Sequence, residues 1–284
     1  LNVPAVKALY LAGIDESLKT ARDLGITTLT NRDQYGLTLV LGGGEVKLLE
    51  MVGAYGAFAS EGERAELTGI LRIEDNHGNV LQEAEPKLSR VLDRDITLQI
   101  SDILSDNVAR TPLFGANSTL YFPGRDVAAK TGTTNDKRDA WVLGYTPNLV
   151  VGAWAGNNDN TSMNEISGLI VTPLWRDFMD VALEKLPVET FAKAPRTPDS
   201  IKPVLRGVWF DPSELVIDDL ENGGRIDVEQ AVLGAHSILY FVNKDDPRGE
   251  SPTNQRDPQF SLWEYPVSLW KARILGAQGA SSDD

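Results

Sequence analysis

Apolar positions keep helical spacing in the first part of the chain, run together in its middle, and scatter towards its end. From Val3 to Leu18 they recur every three or four residues, with Pro4 where a first helical turn tolerates it, so the pattern predicts a helix. A second helix is predicted from Glu45 to Ser60, where Val46, Leu49, Val52 and Phe58 share a face, and a third from Thr97 to Asn107. Gly42-Gly43-Gly44 reads as a tight turn feeding the second helix; a phosphate cradle would need a Gly-Lys-Ser/Thr that does not follow. Leu71-Arg72-Ile73-Glu74 and Val80-Leu81 flank the polar turn Asp75-Asn76-His77-Gly78-Asn79.

The β signal strengthens after Tyr121. Asp126–Thr131 reads as a strand, followed by Asp139–Tyr145 and Leu149–Gly156 across the turn Thr146-Pro147-Asn148. Together they predict an antiparallel meander of three strands, and Pro173–Lys185 returns to helix to pack on it. The fold class expected is therefore α+β, an antiparallel sheet flanked by helices.

Composition shifts near Leu186, where Pro187, Pro195, Pro198 and Pro203 mix with polar residues. This divides the chain into a main domain over 1–186, a Pro-rich connecting segment over 187–203, and an appendage over 204–284. The appendage holds apolar stretches at Val204–Ile217 and Gln230–Val242, then a polar loop from Asn243 to Asp257. Trp263, Tyr265 and Trp270 fall in a final amphipathic segment. Its role is not legible.

Charge narrows the function classes. A formal net charge of −14 argues against a nucleic-acid partner, which would call for a basic face. No run approaches the roughly 18 apolar residues of a membrane helix, so this chain is expected to be soluble. With no cysteine, thiol catalysis and disulfides are excluded. His77 and His236 are the two histidines and lie far apart, so neither a metal site nor a cofactor is expected.

The candidate chemistry sits in Lys130-Thr131-Gly132-Thr133-Thr134. Lysine offers a fixed cation for a carboxylate, glycine lets a ligand lie close to the strand, and the threonine hydroxyls can donate to the same carboxylate. Two other patterns compete for notice. Ser268-Leu269-Trp270-Lys271 spaces a serine and lysine one helical turn apart, but it follows Lys130 and lies in the aromatic-rich tail. Ser105-Asp106-Asn107 reads as a helix end and polar surface.

Around Lys130 the chain resembles the transpeptidase domain of class A (bifunctional) penicillin-binding proteins, from residue 1 to about 183. The resemblance is carried by Leu1-Asn2-Val3-Pro4-Ala5-Val6-Lys7, by Gly36–Val46 running into Leu49-Glu50-Met51, by Lys130–Thr134, and by Asp139-Ala140-Trp141 with Gly144-Tyr145-Thr146-Pro147-Asn148. It implies the β-lactamase-like fold of penicillin-recognising serine transpeptidases. The activity it implies is D,D-transpeptidation: serine acyl transfer that cross-links peptidoglycan stem peptides ending in D-Ala-D-Ala. β-Lactam antibiotics mimic that terminus.

By matching position, Lys130 would attract the terminal carboxylate and help orient proton transfer. Thr131 and Thr133 would hold the carboxylate, with Gly132 and Thr134 completing the substrate-binding strand. The Thr133 N–H would serve as an oxyanion donor, and Asn2 would hold the substrate amide and the catalytic lysine. The family order places Ser-x-x-Lys before Asn2, so the domain is expected to be N-terminally truncated and the nucleophile to lie upstream. The resemblance also implies an upstream glycosyltransferase and a membrane anchor in the parent protein, at the extracytoplasmic face of the bacterial cytoplasmic membrane. The alternatives are a class A β-lactamase or D,D-carboxypeptidase, and a non-catalytic β-lactam sensor or interaction module.

Overall fold

A computed structural model describes residues 2–85, 87–163, 168–195, 232–247, 249–252 and 257–279. The chain divides into two compact units, Leu1–Pro195 and Arg196–Asp284.

The first unit opens with two helices where the pattern predicted one. Helix α1 (Asn2–Ala12) ends at Gly13, and α2 (Ile14–Asp23) starts after it. Gly13 lies at φ 83°, left-handed backbone that glycine adopts without a Cβ clash, and this single residue turns the chain. Leu18 of α2 packs with Ile26, Leu29 and Ala54 in a small core. Ala54 belongs to α3 (Leu48–Ala59), whose first turn carries Glu50. The Glu50 carboxylate accepts from the Thr27 amide at 2.8 Å and the Thr27 hydroxyl at 2.7 Å, tying the preceding loop to the helix. Those bonds hold its pKa below the usual carboxylate value.

Helix α4 (Arg94–Ser105) begins three residues before the predicted Thr97, because the Asp93 side chain caps it by accepting from the Asp95 amide at 2.8 Å. A further helix, α5 (Asn107–Phe114), was not read from the sequence; Asp106 caps it through the Ala109 amide at 2.9 Å.

Four short strands come between α3 and α4. β1 (Glu63–Ala65) pairs with β4 (Leu88–Arg90), and β2 (Arg72–Glu74) pairs with β3 (Val80–Glu83), both antiparallel. The turn joining β2 to β3 is the predicted one. The Asp75 carboxylate accepts from the His77 and Asn79 amides at 2.8 and 2.9 Å, and His77 takes no other part in it.

The predicted meander is present as β5 (Ala128–Thr133), β6 (Asp139–Thr146) and β7 (Leu149–Gly156), in the order β5-β6-β7 and antiparallel throughout. Alternation assigns the faces. Ala129, Thr131 and Thr133 share one face with Ala140, Val142 and Gly144; Ala128, Lys130 and Gly132 share the other with Trp141, Leu143 and Tyr145. Helix α6 (Thr172–Leu183) covers the first face, burying Trp175, Met179 and Leu183 against Ala129, Ala140 and Val142. The Trp175 indole lies so close to β6 that a Cβ at Gly144 would sit 2.3 Å from its Cζ2, which leaves room only for glycine. Helices α3 and α4 cover the second face, where Tyr145 packs with Tyr55, Phe58 and Leu104.

The end of α6 is held by Arg125, whose guanidinium donates to the carbonyls of Leu183, Leu186 and Pro187 at 2.7, 2.9 and 3.1 Å. A cation there satisfies carbonyls the helix leaves open. Phe191 adds a ring 5.4 Å from that of Tyr145.

In the second unit, α7 (Ile238–Phe241) and α8 (Phe260–Gly279) are joined by Glu264, which accepts from the Ser237 amide at 2.7 Å. Phe260 and Trp263 are buried, with Val232, Leu239 and Val242. Pro198, Pro203, the Val204–Ile217 stretch and the start of Gln230–Val242 lie outside the described residues.

Candidate functional site

Strand β5 is the edge strand of its sheet among the described residues, so one side of its backbone faces away from β6. Lys130 stands on the α3–α4 face, opposite Leu143. Its surface is exposed, yet its ammonium lies against the protein, donating to the Thr131 carbonyl at 2.5 Å. Desolvation there pulls its pKa below the usual lysine value. Gly132, two residues on, shares this face; a Cβ there would come 3.4 Å from that of Trp141.

Thr131 and Thr133 occupy the other face, opposite Val142 and Ala140, the first half-buried and the second exposed. Lys130 and the two hydroxyls therefore border the same free edge from opposite faces of one strand. A ligand lying along that edge meets a cation on one side and hydroxyl donors on the other.

Thr134 follows the strand and closes a turn rather than facing outward. Its hydroxyl donates to Asp139 Oδ2 at 2.9 Å and accepts from the Asp139 amide at 2.8 Å. The other carboxylate oxygen of Asp139 accepts from the Trp154 indole N–H at 2.9 Å. Sequence reasoning placed Asp139 in a predicted strand and in a motif that carries the resemblance, and Trp154 in a predicted strand, but gave neither a role at the site. The available signal was a lone carboxylate opening an otherwise apolar strand, five residues after a threonine.

Asn2 opens α1 and is exposed. The packing of α1 runs to α2 and the 3-10 turn Leu37–Leu41, whereas β5 packs on β6 and α4. Among the described residues the structure thus gathers Lys130, Thr131, Gly132, Thr133 and Thr134 on one strand and its turn, with Asn2 on a separate element. Of the competing patterns, Ser268 donates to the Tyr265 carbonyl and Lys271 to that of Leu233, both at 2.7 Å. Ser105 donates to the Asp102 carbonyl and Asn107 to that of Ala116, as helix-end groups do.

Among the described residues, no group of three or more His, Cys, Asp or Glu side chains is placed to hold a metal ion. No described helix is long and apolar enough to cross a membrane.

Residues 30–180 match the model of the penicillin binding protein transpeptidase domain. Penicillin-binding protein 2D of Bacillus subtilis (strain 168) is 31% identical over 287 residues, covering 97% of this chain and 38% of the relative. Penicillin-binding protein 1A of Aquifex aeolicus (strain VF5) is 34% identical over 221 residues, covering 77% of this chain and 28% of the relative. The crystal structure of penicillin-binding protein 1A from Haemophilus influenzae superposes with a TM-score of 0.60 at 26% identity, over 79% of this chain and 37% of that one. The chain thus spans well under half the length of these relatives. The matched stretch runs from the loop before α3 to α6, carries β5 and its turn, and makes up more than half of the 284 residues; the chain belongs to the penicillin-binding protein transpeptidase domain family.

Proposed function

We propose that this chain carries the substrate-recognition strand of a peptidoglycan D,D-transpeptidase, which cross-links stem peptides by serine acyl transfer. The observation that carries the proposal is β5: an edge strand with a desolvated lysine on one face and two threonines on the other. A peptide can add to such an edge as a further strand, its backbone pairing with β5 while its terminal carboxylate meets fixed donors. Lys130 attracts the carboxylate of a D-Ala-D-Ala terminus, and the Thr131 and Thr133 hydroxyls hold it. Gly132 keeps the strand clear for close approach. The Thr133 amide serves as one oxyanion donor, a contact whose removal typically costs about 3 kcal/mol in the transition state. Asn2 orients the substrate amide.

β-Lactams enter the same place because their carboxylate and strained amide imitate that terminus. The parent protein works at the outer face of the bacterial cytoplasmic membrane, where stem peptides are presented. The serine nucleophile pairs with a lysine one helical turn along. The side chains of Ser268 and Lys271 bond to two different carbonyls, which supports another origin for that pair.

Labelling with a fluorescent penicillin tests the reading. The polypeptide its gene encodes is expected to take up one label per chain, on a serine other than Ser268. Lys130→Ala is expected to slow labelling by on the order of 100-fold. Labelling at Ser268, no labelling, or a Lys130→Ala variant that labels at the parent rate would contradict it.

A further inference from the structure

The turn between β5 and β6 is costly backbone held by few groups. Asp136 and Lys137 lie at φ 58° and 55°, left-handed values that side chains with a Cβ adopt at a cost of about 1–2 kcal/mol each. From outside, the Ser162 hydroxyl donates to the Asp136 carbonyl at 2.5 Å and the Met163 amide to that of Lys137 at 3.0 Å. At its base stands Asp139. One carboxylate oxygen accepts from the Thr134 hydroxyl, the other from the Trp154 indole on β7, two strands away from β5. Gly156 makes the second contact possible, since a Cβ there would come 2.5 Å from Trp154 Cζ2.

We propose that Asp139 is a positioning residue for acyl transfer: its carboxylate spans the sheet from Trp154 to Thr134 and thereby fixes the end of β5. This rests on the function proposed above. Thr133, the residue whose amide must meet a developing oxyanion, immediately precedes Thr134 and pairs with Ala140, the neighbour of Asp139. Any slack at Thr134 is passed directly to Thr133. Displacements of about 1 Å at such a donor can cost on the order of 100-fold in rate. Trp154 anchors the carboxylate from the far strand, so Asp139 does not follow Thr134 when the turn moves. The indole is itself partly exposed, at 39%, so its role here is that of a donor held in place rather than a core side chain.

The chemistry of the clamp selects the variants. Asp139→Ala removes both acceptors. Asp139→Asn keeps the shape, because its amide oxygen can accept from the indole while its NH2 donates to the Thr134 hydroxyl oxygen. Trp154→Phe removes the indole donor at the other end and keeps an aromatic ring. The measurement is the second-order rate of labelling by a fluorescent penicillin on the polypeptide its gene encodes, with the melting temperature of every variant taken in parallel.

Asp139→Ala is expected to label on the order of 10-fold or more slowly, and Asp139→Asn to recover to within about 3-fold of the parent. Trp154→Phe combined with Asp139→Ala should label no more slowly than Asp139→Ala alone, because the indole N–H reaches β5 only through the Asp139 carboxylate. Asp139→Ala labelling at the parent rate overturns the inference while leaving the proposed function standing. So does a loss that Asp139→Asn does not rescue, or losses from the two substitutions that multiply. So does a loss of rate that follows melting temperature from variant to variant, which marks a purely structural role. A parent that takes no label overturns the proposed function, and this inference with it.

Discussion

The β5–β7 sheet and the β2–β3 hairpin are both antiparallel and both carry apolar residues, yet they bury opposite amounts. In β6, Ala140 and every residue from Val142 to Thr146 are buried. In β2 and β3 every residue is exposed, with Leu81 66% and Val80 46% accessible. Strand composition separates them in part, since β2 and β3 read Arg-Ile-Glu and Val-Leu-Gln-Glu whereas β6 and β7 are mostly apolar. Layers complete the difference: α6 covers one face of the sheet and α3 with α4 the other, whereas the hairpin is a two-stranded ribbon held chiefly by its ladder and by the Asp75 turn. Ribbons of that kind are marginal without a covering layer. Lys130 belongs to the covered sheet, and its precise placement comes from that cover.

The comparison is broken most severely at Trp175. Trp175→Ala removes a side chain only 1% exposed between α6 and the sheet and is expected to cost about 3–5 kcal/mol. Gly144→Ala attacks the same contact from the strand side and is expected to cost up to about 3 kcal/mol. Urea unfolding measures both, and either variant unfolding at the parent midpoint would remove the layer argument.

Next comes Tyr145, whose hydroxyl meets that of Ser101 at 3.0 Å beneath α4. Burial pushes its pKa up from the ordinary tyrosine value of about 10 to about 12. The folded state then favours the neutral phenol, so this contribution is fully present below pH 10 and is lost as the pH rises towards 12. The loss is expected to be about 2 kcal/mol, and Tyr145→Phe should flatten the alkaline limb of a stability–pH profile. At the other extreme, Leu81→Lys on the hairpin is expected to shift stability by less than about 0.5 kcal/mol. A cost there comparable with Trp175→Ala would show that the hairpin is covered in solution.

Legibility followed the same division. The meander was readable because alternation and a Pro-Asn turn are local signals, and β6 and β7 fall within one residue of expectation. Strand β5 lies two residues later than read, since its pairing with β6 rather than its own composition sets its ends. The predicted first helix runs across Gly13 because the apolar period continues on both sides of it, whereas the left-handed φ of Gly13 breaks the helix outright. Helix α5 was missed because its apolar residues Val108 and Leu113 are exposed and give no buried stripe; only the Asp106 cap marked it.

The Lys130 to Thr134 motif was legible as a pattern and falls on one strand and its turn, and the α+β fold with its antiparallel sheet stands. Unreadable from sequence were the place of β5 at the edge of its sheet, and the reach of Asp139 to Trp154. The second of these is a contact across 15 residues that no local pattern encodes.

The edge of β5 as the place where a peptide adds is the centre of the account, and amide hydrogen exchange tests it most directly. On titration with an N-acylated peptide ending in D-Ala-D-Ala, the outward-facing amides of β5 should slow while those of β2 and β3 keep their rates, and Lys130→Ala should abolish the slowing. Protection that appears on the β2–β3 hairpin instead, or that survives Lys130→Ala unchanged, would contradict the assignment of β5 as the recognition strand.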